Sequence, residues 1–165
     1  MKKTIIVFGS TTGNCEDFAN RIARQLGVTD VKNIADMAVA DFEGYDNLIL
    51  GTSTWGAGDM QDDWYSGLEM LKKLDLTGKT VALFGCGESG NFPDTFCGGM
   101  SEIYNAVAGK GARLIGQVDA SSYNYSDSAS VVDGKFVGLA IDVDEGDDTT
   151  SGRIADWTAA IAPQL

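Results

Sequence analysis

The 165-residue chain contains no histidine, two prolines, three cysteines and half as many basic as acidic residues, 12 Lys+Arg against 24 Asp+Glu. Without histidine there is no Ser/His/Asp or Cys/His relay and no imidazole metal ligand, so chemistry must come from carboxylates, thiols or a bound cofactor. Cys15, Cys86 and Cys97 are an odd number without metal-ligand spacing and read as reduced thiols of a cytoplasmic protein. No segment approaches the roughly 18 consecutive apolar residues of a membrane span. The apolar run Thr4-Ile5-Ile6-Val7-Phe8 follows Met1-Lys2-Lys3 directly. It is too short for a signal peptide, lacks a small-residue cleavage site, and reads as a buried strand. A net charge of −12 argues against nucleic acid or an anionic membrane as partner. It favours positively charged surfaces on other proteins, although solubility alone also accounts for it.

What is present is an alternation of short apolar runs and helical stripes. The runs Thr4–Phe8, Val31–Ile34, Asn47–Thr52, Thr80–Gly85 and Arg113–Val118 are apolar nearly throughout, as strands of a parallel sheet covered on both faces should be. Between them, Phe18/Ile22/Leu26, Trp64/Leu68/Leu71, Met100/Ile103/Val107 and Ile154/Trp157/Ile161 repeat at helical spacing, while Asp36–Phe42 holds only a short or irregular helix. The pattern predicts one α/β domain over 1–165: a doubly wound five-stranded parallel sheet with helices on both faces. After Arg113–Val118 comes a polar stretch, Ser121–Ser128, then an expected hairpin around Asp133-Gly134. Phe136–Ile141 then resumes an apolar strand, so about 120–138 reads as an insertion within strand five.

In such sheets ligands sit at the carboxyl ends of the strands. The loop after strand one, Ser10-Thr11-Thr12-Gly13-Asn14-Cys15, opens a helix whose free amides and partial positive charge suit an anion. It has neither the third glycine of a dinucleotide turn nor the Gly-Lys-Ser/Thr of a triphosphate loop. Its hydroxyls and amide, with no Lys or Arg, suit the terminal phosphate of a mononucleotide; a hydroxyl-rich helix cap is the plainer alternative. After strand three, Gly51-Thr52-Ser53-Thr54-Trp55-Gly56-Ala57-Gly58-Asp59 carries a tryptophan among glycines, placed to lie against a flat ligand or merely to cover the loop. After strand four, Gly85–Asp94 carries Phe92 in a second glycine-rich loop. Two aromatics and a phosphate cup together describe a nucleotide with a large heteroaromatic head.

On Gly9-Ser10-Thr11-Thr12-Gly13-Asn14, Ser53-Thr54-Trp55-Gly56 and Phe84-Gly85-Cys86-Gly87-Glu88, the chain resembles a flavodoxin over its whole length, and its insertion resembles that of the long-chain subgroup. The resemblance implies strand order 2-1-3-4-5 and a non-covalently bound flavin mononucleotide (FMN). The protein would be a low-potential one-electron carrier between redox enzymes, an electron-transport protein with no catalysis of its own. Ser10, Thr11, Thr12, Gly13, Asn14 and Cys15 match the phosphate loop of that family. Ser53, Thr54, Trp55, Gly56, Ala57 and Gly58 match the loop along one face of the isoalloxazine ring. Cys86, Gly87, Glu88, Phe92, Thr95 and Cys97 match the third contact region, and Asp144 matches a position near the cofactor. Three positions depart from the pattern: Cys15 replaces a usual Thr, Phe92 a usual Tyr and Glu88 a usual Asp. The first implies weaker binding at the phosphate end.

The resemblance further implies a Gly56-Ala57 peptide that turns its carbonyl toward the flavin in one redox state, which glycine makes sterically cheap. It implies a cytoplasmic monomer and redox partners with basic docking surfaces, for example a flavodoxin/ferredoxin reductase or a ferredoxin-dependent oxidoreductase. Asp59, Asp62, Asp63, Glu88 and Asp94 in or beside the flavin loops would oppose the charge of full reduction. A flavin-dependent NAD(P)H quinone or nitro reductase on the same fold is one competing reading. It needs a second pocket, and the polar insertion offers neither a pocket nor a basic cluster. A response-regulator receiver is another, but Ser53 and Thr54 stand where its phosphoacceptor Asp would follow strand three.

Overall fold

A computed structural model describes all 165 residues. In chain order the elements are β1 (Thr4–Gly9), α1 (Asn14–Leu26), β2 (Val31–Asn33), α2 (Val39–Glu43), β3 (Asn47–Trp55), β4 (Asp59–Met60), α3 (Trp64–Lys72) and β5 (Thr80–Gly87). They continue with α4 (Gly99–Val107), β6 (Arg113–Ile115), β7 (Val118–Asp119), β8 (Val131–Val132), β9 (Lys135–Phe136), β10 (Leu139–Asp142) and α5 (Asp147–Ile161). The main sheet runs β2-β1-β3-β5-β10, with these neighbours parallel. This is the expected 2-1-3-4-5 order once β5 and β10 are counted as strands four and five.

The uninterrupted apolar character of β1 has a direct cause. Ile5 and Val7 pack with Trp64, Leu71, Met100, Ile103 and Val107 on one face, and Ile6 and Phe8 with Phe18, Ile22, Ile154, Trp157 and Ile161 on the other. α3 and α4 therefore cover one side of the sheet and α1 and α5 the other, and both sides of β1, and of β3 and β5 up to their carboxyl ends, are dry. Burying each such side chain contributes about 1.5–3 kcal/mol over leaving it exposed.

The edge strand departs from its expected form. β6 pairs with β5 at Thr80–Ala82, and β10 takes over along the same strand at Phe84–Gly87. Arg113–Val118 is thus not one strand: Gly116 at φ 83 breaks it, its carbonyl accepts the indole N–H of Trp157 at 2.8 Å, and Val118 passes into a separate sheet. Nor does Phe136 resume the strand. β9 belongs to that second sheet, β7-β9-β8, and pairing with β5 begins at Leu139. The hairpin turn at Asp133-Gly134 is as expected, both residues having the positive φ (52 and 78) of a tight two-residue turn. The excursion from the main sheet thus spans 116–138, slightly more than 120–138.

β3 is also longer than Asn47–Thr52. It continues through Trp55 and folds back onto β4, pairing Thr54 with Met60 and Trp55 with Asp59. What the sequence presents as a loop is a hairpin with Gly56-Ala57-Gly58 at its turn, Gly56 and Gly58 taking φ 54 and 95.

Candidate functional site

The carboxyl ends of β1, β3, β5 and β10 converge on one cavity of about 320 Å³, open on one side. Pockets for small organic ligands begin near this size. Its lining includes Thr12 and Asn14 from the first loop, Ser53, Thr54, Trp55 and Gly56 from the second, and Cys86, Gly87, Glu88, Phe92, Thr95 and Cys97 from the third. The three loops singled out from sequence therefore meet at one place.

The first loop is an unfilled set of donors. The backbone N–H groups of Ser10, Thr11, Thr12, Asn14 and Cys15 have no protein acceptor, whereas that of Gly13 donates to Ser10 Oγ at 3.1 Å. Gly13 caps α1 at φ 93, turning the chain so that these amides gather at the helix start. The helix dipole adds a partial positive charge there, and no cation competes for the anion. Gln61, buried at the junction of the first two loops, donates from Nε2 to Thr11 Oγ1 (3.3 Å) and from its backbone N–H to Thr52 Oγ1 (3.0 Å).

Two aromatics flank the cavity. Trp55 and Phe92 are 41 % and 48 % exposed, unusual for such large apolar rings beside a well-packed core. Trp55 is held by its indole N–H, which donates to Ser53 Oγ at 2.8 Å. The second loop is tied to α4 where Gly99 N–H donates to Thr54 Oγ1 at 3.1 Å. Glu88 Oε2 accepts from Asn91 Nδ2 at 3.0 Å and Phe92 N–H donates to Glu88 O at 2.9 Å, which folds the third loop back over its own start.

Not every residue singled out from sequence faces the cavity. Ser10, Thr11 and Gly13 belong to the first loop, beside Thr12 and Asn14, but do not line the cavity; Ala57 and Gly58 form the hairpin turn beyond Gly56. Cys15 is 1 % exposed, its side chain packed in the core with Phe18, Ala19 and Ile22, so only its amide is offered to the loop. Asp144 does not line the cavity; its Oδ2 accepts Gly90 N–H at 2.8 Å, and Asp142 Oδ1 accepts Ser89 N–H at 3.2 Å. The two aspartates thus hold the third loop from β10. Phe96 and Val143 line the cavity and were not foreseen. Phe96 follows the glycine-rich stretch and reads as ordinary core, and Val143 lies just past a strand end whose position the insertion obscured.

Cys97 carries an unusual backbone. It is fully buried, has φ 51, and its N–H has no acceptor. Its nitrogen lies close to Gly87, where an added Cβ would stand only 2.7 Å from it. Non-glycine residues occupy this left-handed region at a cost and only where surroundings enforce it.

Burial raises all three thiols: Cys86 is pushed up to about 12, with Glu88 adding to the effect, while Cys15 and Cys97 are raised by burial and then by Cys86. The folded protein therefore holds protons that the unfolded chain releases above pH ~8.5, and its stability should fall as pH rises beyond that point. A thiol reagent at pH 8 is expected to label none of the three until urea unfolds the protein; labelling in native buffer would show the core to be more open than its packing. No three His, Cys, Asp or Glu side chains are grouped to hold a metal ion, and no helix is long and apolar enough to cross a membrane.

The flavodoxin family model matches residues 6–157. Flavodoxin 1 of Salmonella typhimurium is 39 % identical over 168 residues, covering all of this chain and 96 % of that protein. The flavodoxin of a Picosynechococcus species is 37 % identical, covering 99 % and 98 %. Among solved structures, Fusobacterium nucleatum flavodoxin bound to flavin mononucleotide superposes with a TM-score of 0.92 at 31 % identity, covering 100 % of this chain and 99 % of that one.

Proposed function

The chain belongs to the flavodoxin family, and we propose that it works as a single FMN-binding domain that carries electrons one at a time between redox enzymes. One observation supports this most: a cup of five unpaired amides adjoins, through Thr12 and Asn14, the cavity that two exposed aromatics flank. A phosphate monoester fits the cup and a flat heteroaromatic ring fits the cavity. When bound, FMN supplies the redox chemistry.

The chain's own residues bind, orient and shield it. The amides of the first loop, with the hydroxyls of Ser10, Thr11 and Thr12 and the amide of Asn14, take the phosphate. Trp55 and Phe92 cover the two ring faces, and Phe92 keeps the stacking area of a tyrosine without its hydroxyl. The unpaired N–H of Cys97 and the backbone of Glu88 meet the polar edge of the ring. Gly56, already left-handed, lets its peptide reorient toward the ring at little cost. Cys15 contributes an amide and no side-chain donor, so affinity at the phosphate end is lower than a threonine there would give.

Asp59, Asp62 and Asp94 are exposed, and Asp63 and Glu88 half-buried, around an opening lined by no Lys or Arg. Together with exposed Trp55, Tyr65 and Phe92 they form an acidic rim with an apolar centre. This suits transient docking of a monomer onto a basic surface of a reductase or oxidoreductase, at rates that salt would lower. Three free buried thiols fit a reducing, cytoplasmic setting.

The protein should purify with a flavin spectrum or take up FMN stoichiometrically. In anaerobic redox titration the second one-electron step should lie at low potential. A carboxylate at about 8 Å and an effective dielectric near 20–40 opposes added charge by about 1–2 kcal/mol, roughly 45–90 mV, before salt screening. Asp59→Asn with Glu88→Gln is therefore expected to raise that potential by tens of millivolts, and an unchanged potential would refute the electrostatic account. Fast direct bleaching by NADPH alone would instead indicate a reductase.

A further inference from the structure

The excursion 116–138 does not line the cavity but is bonded to Pro93–Cys97, the end of the third loop that does. Apart from the Cys97 thiol, which donates to Gly85 O and Ile141 O, every hydrogen bond that fixes Pro93–Cys97 from outside that segment's own helix start comes from it. Pro93 O accepts the N–H groups of Ser126 and Asp127 at 2.9 and 3.0 Å, and Phe96 N–H donates to Asp127 O at 3.3 Å. Ser128 Oγ donates to Phe96 O, and Ser130 Oγ donates to Cys97 O at 2.7 Å. Both serines are buried, Ser130 completely, and Ser130 N–H returns a bond to Ser128 Oγ at 3.1 Å. Behind them the Phe96 ring meets Tyr125 at 5.7 Å, Phe136 at 5.8 Å and Tyr123 at 6.1 Å between centroids.

Two buried hydroxyls spent on two consecutive carbonyls are costly unless the orientation of those peptides matters. Those are the two peptides on either side of Cα of Cys97, and the first of them carries the unpaired Cys97 N–H. We infer that Ser128 and Ser130 are positioning residues: they clamp Phe96 and Cys97 in the conformation that presents the Cys97 N–H to the flavin, so the insertion tunes cofactor affinity and potential. This rests on the cavity being the FMN site.

The clamp is anchored in turn. Tyr123 O–H donates to Ala140 O at 2.7 Å, and Arg153 on α5 lies 3.7 Å over the Tyr123 ring while donating twice to Glu145, both at 2.8 Å. The insertion is thus fastened to the body at its base and to the third loop at its tip.

The test uses the full chain with Ser128→Ala, Ser130→Ala and the double variant. Thr158→Val serves as a control, because it removes an equally buried hydroxyl that bonds only within α5. Loss of one such bond is expected to raise the Kd for FMN about fivefold to tenfold in each serine variant. It should also lower the potential, because the misplaced N–H no longer favours the reduced ring; a twofold change in relative affinity is about 18 mV. In the apoprotein, amide exchange at Phe96 and Gly98 should accelerate about tenfold in the serine variants. Thr158→Val should lower the urea midpoint without changing any of these. Serine variants that lose stability yet keep wild-type Kd, potential and exchange would overturn the inference. If the wild-type protein takes up no FMN, the functional reading fails instead, and the exchange measurement still decides whether the clamp exists.

Discussion

Thr12→Asp is expected to weaken FMN binding about a thousandfold while leaving the fold intact. Thr12 is exposed at the rim of the cavity, immediately before the Gly13 cap of α1. A carboxylate about 4–5 Å from a phosphate, at an effective dielectric near 20, costs about 3–4 kcal/mol per unit charge. Every 1.4 kcal/mol is about tenfold in Kd, and the phosphate carries more than one charge near pH 7. No Lys or Arg stands in the loop to absorb the repulsion. The same carboxylate is favourable for the helix, since an acid beside a helix start gains roughly 0.3–1 kcal/mol from the dipole. Affinity and stability should therefore move in opposite directions, which distinguishes lost recognition from lost structure. Thr12→Val, which removes only the hydroxyl, should cost about tenfold. Fluorescence titration with FMN and a urea melt of the apoprotein measure both quantities. Near-normal FMN binding by Thr12→Asp would move the phosphate away from this loop.

Gly138→Ala is expected to destabilise the protein by about 3 kcal/mol and to weaken FMN binding as a consequence. An alanine Cβ at this position would lie 2.1 Å from the carbonyl oxygen of Leu83 and 2.5 Å from its carbon. Those are backbone atoms of β5, the strand between β3 and the edge, and they cannot swing aside as a side chain can. Overpacking of this kind costs about 1–3 kcal/mol where side chains can adjust, and more where they cannot. The strain falls where the chain returns from the insertion to begin β10, so the pairing Leu139–Asp142 with Phe84–Gly87 should give way first. Asp142 and Asp144 would then release Ser89 and Gly90, and the third loop with them. A lower urea midpoint with an elevated Kd is the expected pair of results. An unchanged midpoint would mean that the edge strand can shift without cost.

The sites of these two substitutions differ in how far the sequence reveals them. Thr12 is legible because a donor-rich turn between an apolar strand and a helical stripe is a local pattern, and local patterns survive in one dimension. The same holds for Trp55 and Phe92, large rings set among glycines, and for the sheet order implied by the family resemblance. Gly138 is not legible, because its importance depends on a strand far away in sequence. Cys15 misleads for a related reason: its place in the loop is visible, but the side of α1 its thiol takes is fixed by packing against Phe18 and Ile22. Ser128 and Ser130 are the clearest case. In a run of Ser, Asn and Asp they look like solvated surface, and only the folded chain brings them to the carbonyls that justify their burial. Phe96 is hidden in the opposite way, being a core residue whose backbone belongs to the site.

The split edge strand also sets an order in time. β6 covers only the first half of β5, and the second half, where the cavity lies, waits for β10. During synthesis, the first two loops can be complete while residues 139–144 are still inside the ribosome, and the third loop then has neither its aspartate anchors nor a closed sheet edge behind it. Long-range pairing of this kind forms late because the intervening chain must first be ordered. Cofactor capture is therefore among the last events in the making of the protein, and a bound flavin certifies that nearly the whole chain has been made and folded.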